Sequence, residues 1–242
     1  MVSNASRRHD LLDRFDWASL EHGGGRASDT PSLLAGLTSG RRAEVVSALN
    51  HLWDDLFHQG TVYSATVAAA QYVAVLLGEP LIPVWEPGRR PLRARLLDWL
   101  TGMAYAVGNA ADSRWQIWFG YSRTEGIPLV RQMQRLRPEL FDAVQVCLAD
   151  PDPVISDAAL TTTVCLLDAP ELAAHRGRVV ALVRQKVLVD PEWGDRDMVF
   201  ESLESWGEDI AELRALAAPV AEKVLWNDIW SADRGPTDVA PF

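Results

Sequence analysis

His51, Asp54, Asp55 and His58 stand at i, i+3, i+4 and i+7. Two imidazoles with a carboxylate form a donor set that suits zinc or a related ion. On a helix, His51, Asp55 and His58 share one face. The spacing argues against a common ion, because residues seven apart at 1.5 Å rise each lie about 10 Å apart. Helical zinc motifs place their histidines four apart. The sequence therefore assigns this face to solvent. His58 falls in the last turn, where an imidazole can serve exposed carbonyls. No metal and no cofactor are expected.

Two further stretches carry recognition chemistry rather than catalysis. Arg114-Trp115-Gln116-Ile117-Trp118-Phe119-Gly120-Tyr121 lies in what reads as a long aromatic connection over 108–127. Long connections in helical proteins are often functional, and Trp, Tyr and Arg dominate binding hot spots. The competing reading has these rings fold back to plug a gap between helices. From Glu192 to Asp209, seven carboxylates stand against Arg196 alone. Asp197, Glu201, Glu204 and Glu208 recur at i, i+4, i+7 and i+11, with Val199, Leu203, Trp206 and Ile210 as the apolar stripe. One continuous acidic ridge on one helix follows, serving solubility or docking a basic partner. The residues expected to meet a partner are thus Trp115, Trp118, Tyr121, Asp197, Glu201, Glu204 and Glu208.

Enzymatic readings find less support. Gly23-Gly24-Gly25 lacks the Lys-Ser/Thr and preceding strand of a phosphate loop. No nucleophile elbow occurs. Trp193 and Asp197 are one turn apart, as a helical-repeat DNA glycosylase would require, but they sit among carboxylates that repel phosphate. The alternative to a non-enzymatic binding protein is such a nucleic-acid-processing enzyme.

The elements that must position these residues are helices. Val45, Leu49, Leu52 and Leu56 make one apolar face over 41–58, closed by Gly60 with Thr61 capping the next helix. Pro80, Pro83, Pro87 and Pro91 make 78–91 extended. Leu96, Trp99, Leu100, Met103, Ala104 and Val107 mark the next helix, and Pro138 suits a first turn. Ala149-Asp150-Pro151-Asp152-Pro153 separates that helix from an apolar one over 153–167, which belongs in the middle of the stack. Helices at 172–189, 196–207 and 209–230 complete the array, and no strand alternation competes. The fold class is all-α: a short, degenerate solenoid of antiparallel helical hairpins, in which each hairpin buries its apolar face only against its neighbours. It occupies residues 9–231, between a disordered segment 1–8 and a loose tail 232–242.

The chain has 242 residues, 48% hydrophobic, with a formal net charge of −10. That charge opposes nucleic acid and anionic membrane, which both need a basic footprint, and favours a basic protein partner. Cys147 and Cys165 lie in apolar helical pattern and read as buried free thiols. No apolar run reaches the ~18 residues of a membrane span, and the N-terminus lacks the apolar core of a signal peptide. A cytoplasmic location is expected.

Trp17-x-x-Leu20-x-His22, then Asp29-x-Pro31 with Leu33-Leu34, then His58-Gln59-Gly60-Thr61-x-Tyr63, resemble the opening of a group of actinobacterial HEAT-repeat proteins. The resemblance covers residues 16–77 and fades to a generic HEAT pattern over 92–190. Gly23-Gly24-Gly25 departs from the Tyr-Gly usual there. Most of that group has no assigned function, and some members look like immunity or antitoxin-type partners of secreted toxins. The resemblance implies a helical-repeat fold and a protein partner.

Overall fold

The acidic, proline-bearing joint starts the central helix as its residues dictate. The Asp152 carboxylate accepts a hydrogen bond from the Val154 amide at 2.9 Å, which satisfies one orphan donor of the first turn. Pro153 occupies the first helical position, where its missing N–H costs nothing. Asp150 accepts from the Asp152 amide at 3.0 Å and pairs with Arg93 at 3.0 Å, so the joint is held from both sides.

The computed structural model describes residues 4–85 and 89–217. The chain there is mostly helical. In order come α1 (Asn4–Arg14), α2 (Thr30–Ala35), α3 (Arg42–Asp54), α4 (Ser64–Leu77), α5 (Leu92–Ala106), α6 (Asn109–Phe119) and α7 (Arg123–Gly126). They are followed by α8 (Pro128–Arg135), α9 (Arg137–Gln145), α10 (Pro153–Leu166), α11 (Arg176–Val189), α12 (Arg196–Ser205) and α13 (Ala211–Leu216).

Helix α10 packs against α5, α9, α11 and α12. It is buried on nearly every side from Ala158 to Leu166, as its apolar sequence requires. Thr162, in its middle, donates to the Ala158 carbonyl at 2.7 Å and meets Thr101 of α5 at 2.8 Å, so its hydroxyl is satisfied in the core. Helix α4, alanine-rich and buried over most of its length, packs against α1, α5, α8 and α9. Trp99 is fully buried and donates Nε1–H to the Leu52 carbonyl at 2.7 Å, which ties α5 to α3. Pro138 sits in the first turn of α9. Both cysteines are free and buried. Burial pushes the Cys147 thiol up to about 11 and Cys165 higher still.

Several boundaries differ from the sequence reading. Residues 4–8, expected outside the folded unit, belong to α1, and Arg8 pairs with Glu79 across the chain. Helix α3 stops at Asp54, and the chain turns through Gln59 (φ 49°) and Gly60 (φ 76°) before Tyr63 precedes α4. The next helix is started by Thr66, whose hydroxyl accepts from the Tyr63 amide at 2.8 Å, rather than by Thr61. The triple glycine makes a small antiparallel hairpin of β1 (Glu21–His22) and β2 (Gly25–Arg26), with His22 opposite Gly25. The region 108–127 is not a connection but α6, α7 and the turn between them. The expected helix to residue 230 is described only as α13; its remainder and the tail 232–242 lie outside the described residues. No helix among the described residues is long and apolar enough to cross a membrane.

Candidate functional site

Helix α6 ends in the expected aromatic residues, and most of them face solvent. Ile117 is 80% and Trp118 74% exposed, with Phe119 and Tyr121 also exposed. The plug reading fails for Trp118, whose ring is not in the core. Trp115 is the half-buried base of the group. Its ring stacks on Phe119 at 4.1 Å between centroids, meets Tyr121 edge-on at 6.1 Å and lies under the Arg123 guanidinium at 5.0 Å. Gly120 (φ 78°) closes the helix, its amide bonding the Gln116 carbonyl at 2.9 Å. Asp112 then fastens the return, accepting from Ser122 Oγ at 2.6 Å and from the Thr124 amide at 3.2 Å. The exposed rings thus stand on a tied turn rather than a loose loop.

The start of α6 is fixed by a buried carboxylate that the sequence reading passed over. Asp168, just past α10, accepts from the Asn109 amide at 2.6 Å, from Trp206 Nε1 at 2.7 Å and from Ser205 Oγ at 3.3 Å. A carboxylate at a helix N-terminus also meets the positive end of the helix dipole. Gly108 allows this approach, since a Cβ there would lie 2.8 Å from Asp168 Oδ2. Arg137, also buried, donates to the Val107 carbonyl beside it. One carboxylate therefore joins α6, α10 and the end of α12.

The acidic ridge is broken. Helix α12 ends at Ser205, because Gly207 (φ 83°) turns the chain, so Glu208 is not on the helix. Glu201 is engaged: it pairs with Arg114 of α6 and accepts from Tyr105 Oη, while Arg114 Nη2 reaches Tyr105 Oη at 3.1 Å. Glu204 is exposed and pairs with Arg214 at 2.9 Å. Asp197 is half-buried, and Glu208 is exposed. The Arg114–Glu201 pair places the two predicted surfaces side by side, aromatic on α6 and acidic on α12. Trp193, the other glycosylase-type residue, is buried beneath Lys186.

His51 is not on a solvated face, as the sequence reading had it. It is 4% exposed, covered by the β1–β2 hairpin and α2. Its Nδ1 lies 2.8 Å from Asp55 Oδ2 and its Nε2 2.9 Å from Thr30 Oγ1. The partner that sequence spacing missed is His22, 8% exposed, whose ring meets His51 edge-on at 5.2 Å. The Gly24 amide donates to His22 Nδ1 at 2.9 Å, so Nε2 carries the proton toward Asp29 Oδ1 at 3.2 Å. The hairpin is seated by the Gly23 amide on the Asp55 carbonyl at 2.8 Å, and a Cβ on Gly23 would crowd that oxygen at 3.2 Å. His58 is exposed and lies beyond α3. Thr30, His51 and Asp55 stand in the order nucleophile, base, orienter, but Thr30 is fully buried and offers no face to a substrate.

An open, mixed-charge cavity of about 400 Å³ under α6 and α7 is lined by Asp112, Thr124, Arg131, Arg137 and Glu171 among others. Comparisons with family models, curated proteins and solved structures find no match for this chain.

Proposed function

We propose that this protein is a non-enzymatic protein-binding scaffold, a short and degenerate HEAT-like solenoid whose partner is a basic protein. Its sharpest form is an immunity or antitoxin-type role, as the resemblance of residues 16–77 implies. The observation that carries the reading is the exposed aromatic end of α6. Exposed Trp, Phe and Ile side by side cost free energy in water unless a partner covers them. Aromatic side chains of this kind anchor interfaces. The tied turn through Gly120 and Asp112 supports it, because a pre-ordered anchor loses little entropy on binding. The net charge of −10 and the exposed Glu204 and Glu208 support a basic partner, drawn in by long-range attraction.

The test is capture from a lysate of the source organism by the full chain, run in parallel with Trp118→Ala and with the double variant Glu204→Lys, Glu208→Lys. The reading expects a basic protein that the wild type retains and Trp118→Ala releases. It expects the purified pair to associate more slowly with the double variant. A retained set that is identical for all three chains, or tight salt-sensitive binding of DNA, overturns it.

A further inference from the structure

Three donor groups converge from separate elements beside the hairpin. His22 comes from β1, Asp29 from the turn before α2, and His51 from α3. One ligand atom of each lies within 4.8 Å of the other two. His22 Nε2 and Asp29 Oδ1 are 3.2 Å apart. That is close to the edge of a tetrahedron whose centre lies about 2.0–2.1 Å from nitrogen and oxygen donors, which is roughly 3.3 Å. The seven-residue spacing of His51 and His58 argued against an ion; His22 removes the objection, because it is a neighbour in space rather than on the helix.

We propose that His22, Asp29 and His51 bind a divalent transition ion of the zinc class, with Asp55 as the supporting carboxylate. Two imidazoles and one carboxylate suit zinc, cobalt or nickel rather than calcium or magnesium, which take oxygen donors. Asp55 holds His51 by Nδ1, as metal-bound histidines are held, so Nε2 is the acceptor; it now takes the Thr30 hydroxyl at 2.9 Å, which an ion would displace. The charge balance points the same way. Among the described residues no Lys or Arg pairs with Asp29 or Asp55; their partners are the two histidines. The two carboxylates beside the two imidazoles supply the charge that one divalent cation balances.

The proton inventory makes the proposal specific. His22 now carries its proton on Nε2, the atom that must bind. Binding moves that proton to Nδ1, so no net proton is lost from this ring. The new Nδ1–H faces Asp55 Oδ1 at 4.0 Å, a gap the carboxylate must close to accept it. Asp55 then supports both imidazoles, one through each oxygen. The Gly24 amide loses its acceptor and turns to solvent, where Gly24 already lies exposed. The Asp29 side chain is 57% exposed, so the ion has a route in and keeps a position open to water.

The experiment titrates the chelator-treated full chain with Co²⁺, followed by its visible absorption, and with Zn²⁺, followed by thermal melting. One equivalent is expected, with a rise in melting temperature and a shift of the Gly24 amide resonance. Mg²⁺ and Ca²⁺ are expected to do neither. Asp29→Asn, at an exposed position that leaves the fold intact, and His22→Gln should each weaken binding by about 100-fold or more, and Asp55→Asn by about 10–100-fold. Absence of Co²⁺ absorption and of any Zn²⁺ melting shift on folded protein overturns the site. So does binding that survives both Asp29→Asn and His22→Gln, which would place the ion elsewhere.

Discussion

His22 and His51 are 8% and 4% exposed, and each ring nitrogen of both has a partner. Ile117 and Trp118, at 80% and 74%, have large apolar surfaces and little cover. One region buries groups that prefer water and answers each with a hydrogen bond. The other exposes groups that prefer the core and holds them on a tied turn. The first arrangement is stable within the chain, since buried polar atoms cost little once paired. The second is complete only with something outside the chain. The difference separates residues whose polar groups are already paired within the chain from residues whose apolar surface is left uncovered.

The comparison breaks most severely at the carboxylate that holds the aromatic helix. Asp168→Ala removes the acceptor of the Asn109 amide, Trp206 Nε1 and Ser205 Oγ in a buried setting. A loss of about 3 kcal/mol is expected, within the range for removing one member of a buried charged network. Denaturant unfolding measures it, and a loss under about 1 kcal/mol would mean that Asp168 does not anchor α6. Gly108→Ala should lower stability through the same contact, because its Cβ would lie 2.8 Å from Asp168 Oδ2 and 3.1 Å from the Tyr105 carbonyl.

In the buried region, His51→Phe keeps a planar, somewhat larger ring, orphans the buried Thr30 hydroxyl and leaves Asp55 to water. An expected loss of about 2 kcal/mol follows from the unpaired polar groups. The same variant should not change partner affinity, because α6 packs chiefly on α5, α7 and α12, while the cluster is carried by β1, α2 and α3. Equal affinity with lower stability is the result expected, and a matching fall in affinity would merge the two regions that the comparison separates.

Helices α5, α9 and α10 were legible because their apolar residues repeat at the helical period and a proline or acidic residue marks each start. Helix α6 was read as a connection for a physical reason. Trp115, Trp118 and Phe119 do stand at i, i+3 and i+4, but Ile117, Trp118 and Phe119 face water, so the helix has no buried stripe along its length. The acidic ridge was carried to Glu208, past a helix end expected at 207; the positive φ of Gly207 turns the chain, and the helix ends at Ser205. His22 and His51 are 29 positions apart in the sequence, and no local spacing can reveal that they touch. A local signal did exist: two glycines between short flanking segments mark a tight hairpin, and that hairpin is what carries His22 onto α3.

The acidic side should give the smallest effect. Glu204→Lys with Glu208→Lys reverses two exposed carboxylates, one of them paired with Arg214 at the surface. Stability should change by less than about 1 kcal/mol. Association with a basic partner should slow, and its dependence on salt should flatten, while dissociation stays the same. A change confined to dissociation would remove the steering role from this side.

The most direct measurement takes purified Trp118→Ala and determines melting temperature and partner affinity on the same sample. The exposed ring predicts a stability change within about 0.5 kcal/mol. A hot-spot ring predicts a loss of about 2 kcal/mol in binding, roughly 30-fold, appearing mainly as faster dissociation. A lowered melting temperature with unchanged affinity would contradict the account.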